Sequence, residues 1–227
     1  MGESPGPVAV AEAALGLIAD GMTLGLGSGR AAQAFVKALA KRAQQGLRVR
    51  GIPTSSVTAN LASQLGIPLV SLEEVEEIDV AVDGADEIDP HLNLIKGLGG
   101  ALVREKIVAA AARRLVILAG QEKIVPALGT HGVLPVEVVP FALSFCRRRL
   151  MRLGYPGTPR LVNGRLFETD NGNYILDCQI QVLSDPLETQ KDLQAIPGIV
   201  DTGLFLGMAE CAFIEDGEKV RKLVASD

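Results

Sequence analysis

Two short segments carry most of the groups that could move protons. The first, DGADEID at 83–89, sets Asp83, Asp86, Glu87 and Asp89 within seven residues. Asp83 follows the apolar run Val80-Ala81-Val82, which reads as a buried strand, so it stands where that strand ends, and Gly84 lets the chain turn. Ligands of parallel sheets bind beyond the carboxyl ends of strands, so this is the address of an active site. A single Asp here would be explained by turn formation or helix capping, but a cluster of acids asks for more. Its spacing fits no EF-hand loop, and no metal is expected.

The second segment is KGLGGALVREK at 96–106. Gly97, Gly99 and Gly100 precede a helix, where free N–H groups and the helix dipole attract anions, and Lys96 adds a full charge. At about 100° per residue, Glu105 falls in an arc of Leu102, Val108, Ala109 and Ala112, while Arg104, Lys106 and Arg113 point elsewhere. The positions three and four residues away are Ala101, Leu102, Val108 and Ala109, so Glu105 has no helical ion-pair partner. A partly buried carboxylate with a raised pKa, near the glycine loop and Lys96, suits a general base for carbon-acid chemistry.

A further glycine loop, GLGSGRAA at 25–32, matches GxGxxA from Gly27. The ribose-binding acid of an NAD site, expected about 20 residues on, is missing, because that region reads GLRVRG. NAD is disfavoured; NADP held by Arg48 or Arg50 stays open, and the loop equally suits a small phosphate ester.

These residues need a sheet to hold them. Residues 8–19 have helical spacing, 22–27 reads as a strand, 31–45 as a helix, 47–52 as a strand, 56–66 as a helix, 68–72 as a short strand and 78–85 as another. A helix at 101–114 and a strand at 115–120 follow. Apolar strands between helices indicate a parallel sheet covered on both faces. After about residue 130 the order becomes βαββαβ, a split βαβ plan, with the Asn-Gly of TDNGNY as a hairpin signal. Residues 210–224 have room for one strand and a turn or short helix, returning to the first sheet. The fold class is therefore α/β, with one domain from 1–130 plus 206–227 and a smaller α+β domain at 131–205.

The 227 residues suffice for such a core, and no apolar stretch reaches the roughly 18 residues of a membrane span. The N-terminus lacks the basic start of a signal peptide, which makes a cytoplasmic protein the expectation. Cys146, Cys178 and Cys211 are too few and too scattered for a disulfide framework or a zinc site and read as buried thiols. A net charge of −5 without basic-aromatic runs gives no support to nucleic-acid binding.

Over nearly the whole chain these features resemble the type A ribose-5-phosphate isomerase family. Its loop GxGTGST appears as GLGSGRA, its xPTS turn as GIPTSS, its DGADE block as DGADEID and its KGGGxAxxREKI block as KGLGGALVREKI. LPVEVVP, DNGNYILD and IPGIVDTGLF are also similar to family segments. The resemblance implies a Rossmann-like main domain, a ferredoxin-like insert, no cofactor or metal, and a homodimer or homotetramer. It implies that Glu105 is the base interconverting ribose 5-phosphate and ribulose 5-phosphate through a cis-enediolate. Asp83 would assist ring opening, supported by Asp86, and Lys96 would stabilise oxyanion charge. The implied substrate site comprises Ser28, Gly29, Arg30, Ala31, Asp83, Gly84, Ala85, Asp86, Lys96, Gly97, Leu98, Gly99 and Lys123.

Departures cluster around the phosphate. Arg30 and Ala31 replace Ser-Thr, the basic residues near the family's N-terminus are replaced around Pro7 and Val8, and the D-x-S-K block reads GQEK. Either Arg30 supplies the phosphate contact or the substrate differs. A coenzyme A transferase with a glutamate nucleophile and a non-catalytic sugar-phosphate sensor are the alternatives. DGADE with KGLGG weighs against the transferase, and the start of the chain almost at the first helix weighs against a sensor.

Overall fold

The computed structural model describes residues 6–217 and 219–225. Helix α1 (Gly6–Leu15), strand β1 (Thr23–Leu26), α2 (Gly29–Gln44), β2 (Arg50–Pro53), α3 (Ser56–Gln64) and β3 (Val80–Gly84) come first. Two short strands, β4 (Glu87–Ile88) and β5 (Leu94–Ile95), precede α4 (Leu102–Ala110) and β6 (Leu115–Gly120). The next stretch is β7 (Val133–Val138), α5 (Leu143–Arg152), β8 (Gly157–Pro159), β9 (Leu161–Val162), β10 (Arg165–Leu166), β11 (Tyr174–Gln179), α6 (Pro186–Gln194) and β12 (Ile199–Thr202). Strands β13 (Leu204–Phe205), β14 (Ala209–Asp216) and β15 (Lys219–Val224) end the chain.

The main sheet has the order β15-β14-β6-β3-β1-β2 and is parallel except for β15. Alternation along its strands serves both faces. Val80, Val82, Val116 and Leu118 join Phe35 and Leu39 of α2 and Val10 and Ala14 of α1 on one side. Ala81, Leu115 and Ile117 join Val108 and Ala109 of α4 on the other. Gly25 lets α4 lie close, since a Cβ there would stand 2.5 Å from Val108 Cγ1. The helix bearing Glu105 is thus seated directly on the strand leading to the first glycine loop.

A second, antiparallel sheet has the order β12-β7-β11-β8, the fourth, first, third and second strands of the βαββαβ unit. Cys146 and Leu150 of α5 and Leu193 of α6 pack on its Leu134, Val136, Val138 and Leu176. A small sheet, β13-β5-β4, joins the end of this unit to the strand preceding Lys96.

Some elements differ from the sequence reading. Residues 68–72 make only one bridge, Leu69 to Gly51, because Ser71 and Glu74 cap each other and draw the chain into a helical turn. Helix α4 stops at Ala110 instead of 114, since the backbone of 111–114 hydrogen-bonds with Ile78 and Ala81 beside β3. The segment 199–205 divides at Gly203 between two sheets. The C-terminal stretch holds two strands, β14 and β15, paired as a hairpin, in place of one strand with a turn or helix. Asn171-Gly172 does form a turn, and Asn163-Gly164 forms another between β9 and β10 with φ of 53° and 76°.

Candidate active site

Strand β3 delivers Asp83 to its carboxyl end, where the side chain is buried. Asp83 Oδ1 accepts from the backbone N–H of Ser28 (3.0 Å) and of Gly84 (2.8 Å). The β1–α2 loop comes this close only because Gly27 has no side chain, as a Cβ would lie 2.2 Å from Asp83 Oδ1. Lys96 follows β5, and its Nζ donates to the Gly84 carbonyl (2.7 Å) and lies 3.0 Å from Asp83 Oδ2 and 3.1 Å from Glu105 Oε2. Glu105, in the first turn of α4, is only 5% exposed, and its Oε2 has no hydrogen bond of good geometry among the described residues. The ammonium attracts this oxygen without being aligned to hold it.

The charges set the chemistry. Burial first, then the negative charge of Asp83, push Glu105 up to about 7 against the pull of Lys96, with Asp86 adding to the rise. Burial by itself would pull Lys96 down, but Asp83 and Glu105 outweigh it and hold the ammonium above its ordinary range. The cluster is one cation between two carboxylates, and Glu105 is able to take a proton near neutrality.

The glycine loop is held from both sides. Asp86 Oδ2 accepts from Leu98 N–H (3.0 Å), and Gly100 N–H donates to the Gly97 carbonyl (3.0 Å). These two N–H groups are therefore engaged inside the loop instead of free for an anion as the sequence suggested. Gly97 has φ of 109°, and at Gly100 (φ 86°) a Cβ would stand 2.4 Å from the Phe167 ring. Arg160 Nη1 donates to the carbonyls of Gly97 (2.8 Å) and Leu98 (3.1 Å), while its guanidinium pairs with Asp177.

A cavity of about 350 Å³ opens over these groups. Ser28, Gly29, Arg30, Ala31, Gly84, Ala85, Asp86, Lys96, Gly97, Gly99, Glu105 and Lys123 all line it, so the structure brings together most of the residues singled out in the sequence. Asp83 and Leu98 do not: Asp83 sits behind Lys96 and Gly84, and the Leu98 side chain is exposed. At the α2 end, the Ser28 hydroxyl bonds to Thr54 Oγ1 and Ser55 Oγ, both 2.8 Å away, and does not cap the helix. The first-turn N–H groups of a 16-residue helix thus have no side-chain cap, which suits an anion. Arg30 is exposed with no partner among the described residues, and Lys123 reaches the rim from the turn after β6.

Glu122 and Glu215 also line the cavity and were missed. Glu215 reaches it because β14 lies beside β6, pairing Glu215 with Gly120 across some ninety residues, for which the local sequence offers no signal. Thr54 and Ser55 did have one, the PTSS turn. Pro7 lines the cavity, whereas Val8 does not. Of the remaining acids, Glu87 accepts from Gly129 N–H (2.6 Å), and Asp89 closes a turn through His91 and Asn93 N–H.

Among the described residues no cluster of three or more His, Cys, Asp or Glu could hold a metal ion. Arg48 pairs with Asp20, and Arg50 donates to Thr23 Oγ1 at the start of β2, the opposite end of the strand from the glycine loops, so neither serves a dinucleotide there. The three cysteines are free and buried. No described helix is long and apolar enough to cross a membrane.

Comparison with known proteins agrees along the whole fold. The family model of ribose 5-phosphate isomerase A (phosphoriboisomerase A) matches residues 50–219. Ribose-5-phosphate isomerase A of Roseiflexus sp. (strain RS-1) is 51% identical over 218 residues, 95% of this chain and 94% of the relative. The structure of ribose 5-phosphate isomerase A from Methanocaldococcus jannaschii matches with a TM-score of 0.91 at 38% identity, covering 96% and 97% of the two chains. A D-ribose-5-phosphate isomerase in complex with phospho-erythronic acid matches with a TM-score of 0.93 at 37% identity and the same coverage. Similarity of this extent, spanning the parallel sheet and the antiparallel one alike, places the chain in the ribose 5-phosphate isomerase A family.

Proposed function

We propose that this protein interconverts D-ribose 5-phosphate and D-ribulose 5-phosphate, with Glu105 as the base that moves one proton between C2 and C1 through a cis-enediolate. The observation that carries this reading is the buried Lys96–Glu105 pair at the cavity wall, 3.1 Å apart, with the carboxyl held near pKa 7. One carboxylate on one face of the enediolate can both remove and return the proton. Lys96 Nζ, set among the Gly84 carbonyl, Asp83 and Glu105 at the cavity wall, can turn a donor toward the oxygen on which charge develops. Ring opening, assigned to Asp83 from the sequence, falls better to Asp86, because Asp86 faces the cavity while Asp83 is engaged by two N–H groups and Lys96. The related structure in complex with phospho-erythronic acid, a phosphorylated sugar acid, supports a substrate of this class.

The same reading takes 1–130 plus 206–227 as the catalytic domain and 131–205 as the smaller one. It also takes the protein to be cytoplasmic and a homodimer or homotetramer, to which the fully exposed Phe141 and its neighbour Phe145 could contribute surface. The test is an isomerisation assay on the purified protein beside an acyl-CoA exchange assay. Isomerisation that persists in EDTA, with no exchange, is expected. Exchange without isomerisation would favour the transferase.

The phosphate contacts give a separate expectation. Arg30 stands at the open N-terminus of α2, where a guanidinium can offer paired, charge-assisted hydrogen bonds. Arg30→Ala should raise KM for ribose 5-phosphate by about 10- to 150-fold, corresponding to about 1.5–3 kcal/mol for a lost charged contact, nearer the lower figure because the side chain is exposed. Unphosphorylated ribose, if turned over, should be barely affected. A KM within about twofold of wild type would leave Lys123 and the helix N–H groups as the phosphate's partners.

A further inference from the structure

LPVEVVP, DNGNYILD and IPGIVDTGLF contribute no wall to the cavity, yet the last of them holds the catalytic pair from behind. Lys96 N–H donates to the Gly203 carbonyl (2.9 Å), and a Cβ on Gly203 would stand 2.2 Å from the Lys96 carbonyl oxygen. The Phe205 ring, fully buried, lies 5.4 Å from Lys96 Nζ and 4.9 Å from Lys106 Nζ. Lys106, next in chain to Glu105, reaches away from the cavity and donates to Asp201 Oδ1 (2.6 Å) and the Thr202 carbonyl (2.7 Å). Asp201 is itself fixed by Gln194 Nε2 (2.9 Å) and Thr202 N–H (2.7 Å). Five residues, 201–205, therefore grip both the strand leading to Lys96 and the helix bearing Glu105.

A lysine that only decorated α4 would keep its ammonium in water. The Lys106 side chain is 13% exposed, and burial lowers its pKa in spite of Asp201. We propose that Lys106 is a positioning residue: anchored on Asp201 and Thr202 and packed with Lys96 around Phe205, it fixes the seat of α4 and so the gap between Glu105 and Lys96. The proposal rests on Glu105 being the base. It assigns to the antiparallel sheet a part in catalysis, that of a jig for two groups which both belong to the other sheet's side of the molecule.

The test compares Lys106→Met, Lys106→Arg, Phe205→Leu and, as a stability control, Asp185→Ala, which removes the N-cap of α6 away from the cavity. Lys106→Met is expected to lower kcat about 10- to 100-fold, as misplacement of reacting groups by an ångström does, with KM changed by no more than about twofold. The acid limb of kcat/KM should move up, because Lys96 draws away from Glu105 while Asp83 and Asp86 stay. Lys106→Arg should recover most of kcat. Phe205→Leu keeps the Lys106 charge, so an upward limb shift there does not come from loss of that charge. Asp185→Ala should lower Tm without changing kcat or the limb. The proposal is overturned if Lys106→Met keeps kcat within about twofold of wild type, or if it loses kcat with an unmoved limb. Should Lys106→Met fail to fold, unchanged kcat and limb in Phe205→Leu overturn it instead. A wild-type protein without isomerase activity removes the functional reading and this proposal with it, an outcome distinct from an active wild type indifferent to Lys106.

Discussion

Glu105→Gln is expected to lower kcat for ribose 5-phosphate by about 10² to 10⁴-fold or more while leaving substrate binding intact, because the substitution keeps size and hydrogen bonding and removes only the base. The geometry supports so large an effect. Glu105 lines the cavity, its Oε2 is free of aligned hydrogen bonds, and its proton affinity is raised by burial and by Asp83. In the wild type, kcat/KM should fall about tenfold per pH unit below about 7 as Glu105 takes up a proton in the free enzyme. The residual activity of Glu105→Gln should lack that limb. Stability carries the same signature. The folded pKa of about 7 lies above the ordinary 4.5, so the native state binds the proton more tightly and loses stability, relative to the Gln variant, as pH rises from 4.5 to about 7. Above that range the difference should be flat. Near wild-type turnover in a folded Glu105→Gln protein would show that another group is the base.

How far these groups could be read from sequence depended on how local their causes are. Asp83 was legible because an apolar strand ends there, and Glu105 because the wheel of α4 surrounds it with apolar residues. What the wheel left open was the partner. No cation stands three or four positions away, and Lys96, nine residues upstream, meets Glu105 only because β5 pairs with β13 and returns the chain across the end of β3. The same limit hid Glu215, delivered by a strand that joins the sheet after the whole antiparallel unit has been built. It also hid the engagement of Leu98 N–H, which depends on the placing of Asp86. Elements failed at 111–114 for a similar reason, since good helix formers gave their backbone to the start of β3, and at 68–72 for a local one, a side-chain cap that overrode an apolar run. Patterns local to a strand or helix survived, and contacts that cross between sheets were invisible.

Lys96→Met is expected to cost more stability than a surface substitution does and to lower turnover sharply as well. Methionine matches the length of the side chain but leaves Asp83 and Glu105 facing each other in a buried site, with the Gly84 carbonyl deprived of its donor. Removing one partner of a buried ion pair costs about 3–5 kcal/mol, far more than the pair itself need contribute, because the remaining charge is stranded. Here two carboxylates are stranded together, and the cheapest relief is for Glu105 to hold its proton more tightly still. The pH dependence has a definite sign. The ammonium of the wild type stays charged over the working range, being held up by both acids, so its benefit is largest when both are ionised. The stability gap between wild type and variant should therefore be widest between about pH 8 and 10.5, the ordinary lysine value, and narrow as pH falls through the raised pKa of Glu105. Catalysis is hit twice. The donor for the developing oxyanion is gone, at a cost of about 10² to 10³-fold in kcat, and the acid limb of kcat/KM moves above 7. Denaturant unfolding at pH 6 and pH 9 with matched pH–rate profiles reads both consequences in one preparation. A folded variant whose stability gap does not widen with pH, or whose acid limb stays at 7, would mean that Lys96 does not set the charge state of Glu105.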